Sequence, residues 1–251
     1  MKRTTKTTSI LAPVVTFFII FGLWELAILI FKIPRWILPG PIAIFNTMIV
    51  KFADFWPNIW VSMQTIFIGF IFAVPIGIVL AGIITNFKTL AAALDPFIIF
   101  LVVTPLITLV PLLMYFLGFG IEVRILAVII QSFAIVNMNA ATGFANVELL
   151  RMELMQSVRA NRLQTFSRVV LPSALPDVFT GMKLCGIFAT TACISVEYVG
   201  GNKGLGSQII RHTQYIATEK AFACIFFVAV IGIILYMLVS LLEKAIIRWK
   251  I

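Results

Sequence analysis

Few residues in this 251-residue chain have the types and spacing that catalysis or ligand chemistry needs. The run Gly200–Ser207, GGNKGLGS, is glycine-rich, and such loops can cradle phosphate on backbone N–H groups. Here Gly206 is followed by Ser207 rather than lysine, so the run is not a Walker A loop. Ile209 stands where a dinucleotide loop has its third glycine. The run therefore reads as a turn. His212 is the single histidine, and Cys185, Cys193 and Cys224 lie in apolar stretches without a C-x-x-C pair. That pattern argues against a metal site and against a disulfide framework. A G-x-S-x-G motif is missing too, which disfavours an intramembrane hydrolase.

What remains is polar groups set inside apolar runs. They are Thr104 and Thr108, then Gln131, Asn137 and Asn139, then Thr190, Thr191, Ser195 and Glu197. Polar groups facing lipid are costly, so they line a solute path or hydrogen-bond between helices. Glu197, an acid at the end of an apolar run, either lines such a path or braces the glycine-rich turn. Glu25 is alone in the first apolar run and reads as a structural partner for another helix.

The elements that must carry these groups are membrane spans. The chain is 61% hydrophobic and 12% charged, with mean hydropathy +1.10. Soluble domains are about 45–50% apolar and about 25% charged. The net charge of +9 is spread between apolar runs, a distribution that fits membrane topology better than a nucleic-acid surface. A bilayer needs about 20 apolar residues per helix. Six runs qualify: Ile10–Phe31, Val61–Thr85, Leu94–Leu117, Ile125–Phe144, Val178–Val196 and Phe222–Leu242. The first follows Lys2, Arg3 and Lys6 but is too long for a signal peptide and lacks a clear cleavage site, so it is expected to stay. The third contains Pro96, Pro105 and Pro111 and is expected to be kinked. One all-α domain of six transmembrane helices is the simplest organisation. Both termini then share a side.

That side collects Lys2, Arg3, Lys6, Lys88, Arg151, Arg159, Arg162, Arg168, Lys244, Arg248 and Lys250. The other collects Lys32, Arg35, Lys51, Arg124, Lys203, Arg211 and Lys220. The excess of basic residues places both termini in the cytoplasm.

Between the fourth and fifth spans, residues 147–172 carry Arg159, Arg162 and Arg168 among spaced apolar residues. Met152, Met155 and Val158 recur at helical spacing, as do Leu163, Phe166 and Val170. Asn161 is a good N-cap, with Gln164 three residues on as in a capping box. Pro172 is expected to stop the second helix. Two short amphipathic helices joined by a turn either lie on lipid or dock on a cytoplasmic partner. Spacing alone favours neither.

The same segment resembles the coupling-helix motif of permease subunits of bacterial ABC importers. That motif runs Glu-Ala-Ala, three residues, Gly, nine residues, Ile-x-Leu-Pro. Glu153, Val169 in place of Ile, and Leu171-Pro172 match it, while Leu154, Met155 and Arg159 depart from it. Further likeness to the nitrate, sulfonate and taurine branch lies in Trp24-Glu25-Leu26, Leu38-Pro39-Gly40-Pro41, Leu94-Asp95-Pro96, Phe119-Gly120-Ile121-Glu122, Leu175-Pro176 and Gly204-Leu205-Gly206. Arginine in the glycine position of the motif means that either Asn161 takes the left-handed conformation or the turn differs.

The resemblance implies a type I importer-like fold with a cytoplasmic coupling-helix pair between spans 4 and 5. Glu153, Ser157, Arg159, Asn161, Arg162, Leu171 and Pro172 are its implied ATPase-coupling residues. ATP and Mg would be bound by a separate ATPase subunit, leaving this chain non-catalytic and without a cofactor. Other implied partners are a second permease copy, an extracytoplasmic solute-binding protein and membrane lipid, but no nucleic acid. The implied location is the bacterial inner membrane. The implied cargo is a small solute of the sulfonate, taurine, nitrate or vitamin-precursor class. The competing reading is an ATP-independent secondary transporter or channel, which would need no docking segment.

Overall fold

The computed structural model describes residues 6–248, and all regular structure among them is helical. Lys2, Arg3 and Lys250 of the charge argument lie outside those residues. The helices are α1 (Lys6–Phe31), α2 (Pro41–Val50), α3 (Phe52–Asn86), α4 (Lys88–Val103), α5 (Leu106–Leu117) and α6 (Ile121–Ala145). Then come α7 (Leu149–Ser157), α8 (Arg162–Thr165), a π-helical turn (Phe166–Val170), α9 (Leu171–Gly200), α10 (Leu205–Gln214) and α11 (Thr218–Ile246). Five helical stretches are long and apolar enough to cross a bilayer, and α4 with α5 forms a sixth, bent candidate.

The centre of the bundle is α6 packed between α3 and α9. In lipid, helix association rests on close van der Waals approach rather than on a hydrophobic drive, so small residues gather at contacts. Gly77 of α3 shows this: a Cβ there would lie 2.7 Å from the backbone oxygen of Phe133 on α6. At the edge, α1 buries little of itself and leans on α2. Glu25 of α1 accepts the Ile42 N–H at 3.2 Å and so satisfies a free donor in the first turn of α2. That is the helix-partner role expected of it. Lys183 of α9 and Glu243 of α11 form an ion pair that ties the last two spans together.

Three boundaries differ from the sequence reading. The run 94–117, expected to be kinked, is two helices at 101°, broken at Thr104-Pro105, a bend sharper than a kink within one continuous helix. Pro105 supplies no N–H and holds Thr104 extended, at φ −70° and ψ 121°, which turns the chain. The second span begins at Phe52 rather than near Val61. Pro172 does not stop the helix that starts at Arg162, because helix continues from Arg162 to Gly200. The π-helical turn just before Pro172 widens the backbone, which accommodates a ring that would clash in a regular α-turn. Two short helices, α2 and α10, have no counterpart in the sequence reading.

A candidate coupling segment and a buried carboxylate latch

At one end of the bundle, α7 has no buried residue. Leu150, Leu154 and Val158 are 69%, 63% and 65% exposed, and Leu163 on α8 is 76% exposed. The chain turns between the two helices at Arg159, whose φ of +52° is left-handed. Asn161 is extended, at φ −74°, and caps α8. Its Oδ1 accepts the Gln164 N–H at 2.8 Å, and Gln164 Oε1 accepts the Asn161 N–H at 2.9 Å. Of the two possibilities raised by the arginine, the first is therefore corrected. Asn161 makes the cap, and Arg159 itself takes the left-handed turn.

One side-chain contact ties α7 to the bundle, and the others are local to it. Ser157 Oγ donates to the Glu153 carbonyl at 3.0 Å. Arg151 donates to Glu148 at 3.0 Å and to Ser173 Oγ at 3.1 Å, tying α7 to the first turn of α9. The Glu153 carboxylate is exposed and makes no ion pair or hydrogen bond among the described residues. Arg159, Arg162 and Arg168 are likewise without an ion pair there. Leu171 and Pro172 sit half-buried where the segment enters α9.

At the opposite end of the bundle, Glu197 is 0% exposed in the last turn of α9. Its carboxylate accepts the Gly206 N–H at 2.9 Å and lies 2.8 Å from Ser62 Oγ of α3. Arg124 of α6 stands 3.9 Å away. Ser62 Oγ also accepts the Leu205 N–H at 2.8 Å, and Asn58 Oδ1 accepts the Gly204 N–H at 3.0 Å. The carboxylate thus joins α3, α6 and α9 to the start of α10. Gly204 has φ +104°, and a Cβ there would overlap the carboxyl group of Glu197. Only glycine lets this turn close over a buried acid. The run GGNKGLGS is accordingly a braced helix start rather than a loose loop, and the geometry gives Glu197 the bracing role.

Residues 73–248 match the family described as "Binding-protein-dependent transport system inner membrane component". The chain belongs to that family. It is similar to the formylaminopyrimidine transport permease protein ThiX of Halalkalibacterium halodurans, with 25% identity over 241 residues, covering 96% of each chain. It is also similar to the taurine transport system permease protein TauC of Escherichia coli, with 27% identity over 201 residues, 78% of this chain and 72% of TauC. The fold matches a solved amino acid ABC transporter chain at TM-score 0.65 and 18% identity, covering 80% of this chain and 98% of that one. The chain is therefore the permease subunit of a binding-protein-dependent ABC importer, with a type I importer permease fold.

The polar residues of the spans separate by face in this permease. Asn137 is buried and donates to the Gly77 carbonyl at 3.3 Å, a helix-to-helix bond between α6 and α3. Asn139 bonds to the Ile135 carbonyl in its own helix, at 2.8 Å, and Gln131 is half-buried. Thr190 is buried against Gly232 of α11 and donates to the Gly186 carbonyl. Thr191 and Ser195, one turn apart on α9, lie on its more open face and bond back to Ile187 and Thr191. Thr104 sits at the α4–α5 break, and Thr108 is exposed in the first turn of α5. Arg151 was counted only as a basic flank of a span, and Ser62 and Asn58 went unnoticed in the sequence. Their only signal was polarity within or beside an apolar run.

Proposed function

We propose that this permease moves a small organic or inorganic solute into the cytoplasm, driven by ATP hydrolysis on a separate ATPase subunit. Glu153–Pro172 is the segment that docks on that subunit. The observation that carries the reading is the segment's own form. An exposed helix presents leucines beside a carboxylate with no ion pair among the described residues, and a capped, left-handed turn holds it to the end of a 39-residue helix. A helix with apolar residues and one free acid suits a groove on a protein partner, where the acid can take charge-assisted hydrogen bonds. Movement of α7 would pass through Arg151 and the π-helical turn into α9.

ATP and Mg belong to the partner in this reading, and the permease is non-catalytic. A second permease copy completes the path, with Thr104, Thr108, Gln131, Asn139, Thr191 and Ser195 as candidates for its polar lining, whereas Asn137 and Thr190 are buried between helices. Both termini face the cytoplasm, and the face carrying α2 and α10 receives the solute-binding protein. The names of ThiX and TauC support a nitrogenous or sulfonated small molecule as cargo.

Glu153→Ala at matched membrane abundance tests the reading. Uptake and ATPase co-purification should both fall strongly, because losing a buried charged hydrogen bond at an interface costs about 2–5 kcal/mol. Near-normal uptake by the variant would leave the segment as a lipid-surface helix. Uptake by the purified chain in liposomes without ATPase or nucleotide would replace the reading with a secondary transporter.

A further inference from the structure

Two cavities meet beside the coupling segment. One, of about 360 Å³, is polar along one wall, with Thr85, Gln156 and Thr165. The other, of about 520 Å³, is apolar, formed by Ile78, Val79 and Ile83 of α3 against Leu163 and Leu171. Asn86, Arg162 and Phe166 line both. Phe166, held edge-on against Phe144 at 5.3 Å, is the partition between them. A chamber with one polar wall and an apolar chamber, joined at a guanidinium, have the shape and chemistry of an amphiphile with an anionic head.

We infer that this pair of cavities binds one anionic phospholipid from the leaflet beside the coupling segment, its phosphate on Arg162 and Asn86 and an acyl chain along α3. Charge complementarity selects that occupant. Residues 158–172 carry three arginines and no acid, and Arg162 makes no ion pair among the described residues. A basic residue at the membrane surface attracts anionic headgroups. The apolar chamber lies on the last turns of α3, a membrane-crossing helix, so lipid reaches it without leaving the bilayer. The bound lipid would buttress Phe166 and the π-helical turn, making coupling sensitive to the anionic lipid content of the membrane.

The test is native mass spectrometry of the intact transporter, purified in detergent with equal phosphatidylglycerol and phosphatidylethanolamine. The wild type should retain one phosphatidylglycerol per permease chain in preference to phosphatidylethanolamine. Arg162→Ala should retain it about fivefold less well, the equivalent of about 1 kcal/mol for one basic residue at an anionic surface. Gly82→Leu should also lose it, by filling the apolar chamber. A Cβ at Gly82 meets the Phe166 ring at 3.5 Å and the Phe144 ring at 3.9 Å, both ordinary contacts, so the backbone tolerates the change. Val79→Trp fills the same chamber from a position 61% exposed and serves should Gly82→Leu assemble poorly. Equal retention of the two lipids, or unchanged retention in Arg162→Ala and the filled variants, overturns the inference. So does full displacement by glycerol 3-phosphate with no effect of filling the chamber, which would mark a free oxyanion site. Cross-linking of Val79→Cys to its counterpart in a second copy would show that the groove is a subunit contact and overturn it equally.

Discussion

Ser62 of α3 and Glu197 of α9 are both 0% exposed, and the serine hydroxyl lies 2.8 Å from each carboxylate oxygen. The same hydroxyl accepts the Leu205 N–H, so one side chain relays between a buried acid and the start of α10. Replacing Ser62 by alanine removes a donor from the carboxylate and an acceptor from the backbone. Each buried group left unsatisfied costs about 1–3 kcal/mol. Ser62→Ala should therefore lower the thermal unfolding midpoint of the purified transporter clearly, and Ser62→Thr should restore part of it. An unchanged midpoint for the alanine variant would mean that water replaces the hydroxyl.

Gly204 and Gly22 make a matched pair. At Gly204 the backbone is left-handed and a Cβ collides with the Glu197 carboxyl, whereas at Gly22 nothing lies within 4 Å. Gly204→Ala should reduce folded protein in the membrane, while Gly22→Ala, inside α1, should be neutral or stabilising. Comparing monodisperse yield for the two variants checks this, and equal yields would contradict the latch geometry.

The turn at Arg159 stores a small amount of strain. Arginine in the left-handed region costs about 1 kcal/mol relative to glycine. Arg159→Gly should leave transport intact and raise stability slightly. Asn161→Ala breaks the capping box and should cost about 0.5–2 kcal/mol, loosening α8. Uptake at matched abundance should fall for the asparagine variant and not for the arginine one. The reverse order would show that the guanidinium itself makes the decisive contact.

His212 on α10 gives a pH signature at the opposite end. Burial first, then Lys220 and Arg211, hold its pKa below the ordinary 6.5. Phe55 of α3 packs against its ring. A base with a depressed folded-state pKa contributes fully above its unfolded value, and the contribution is lost as pH falls through about 6.5 toward the folded value. The unfolding midpoint of the wild type should thus drop more than that of His212→Gln between pH 7.5 and about 5.5. Parallel curves would show that the imidazole titrates freely in solvent.

The sequence by itself determined that this chain crosses a membrane many times, because apolar runs of bilayer length are a one-dimensional property. It also determined the capping box at Asn161 and Gln164, since a cap is settled within four residues. Tertiary structure decided what depends on neighbours distant in the chain. Whether Glu197 faced a path or a brace hung on Ser62, 135 positions away, and on a left-handed Gly204. Whether Pro172 ended a helix hung on a π-helical turn that makes room for its ring. The break at Pro105 was visible as a proline, but its 101° angle was not, because a local breaker sets where a helix bends and packing sets how far.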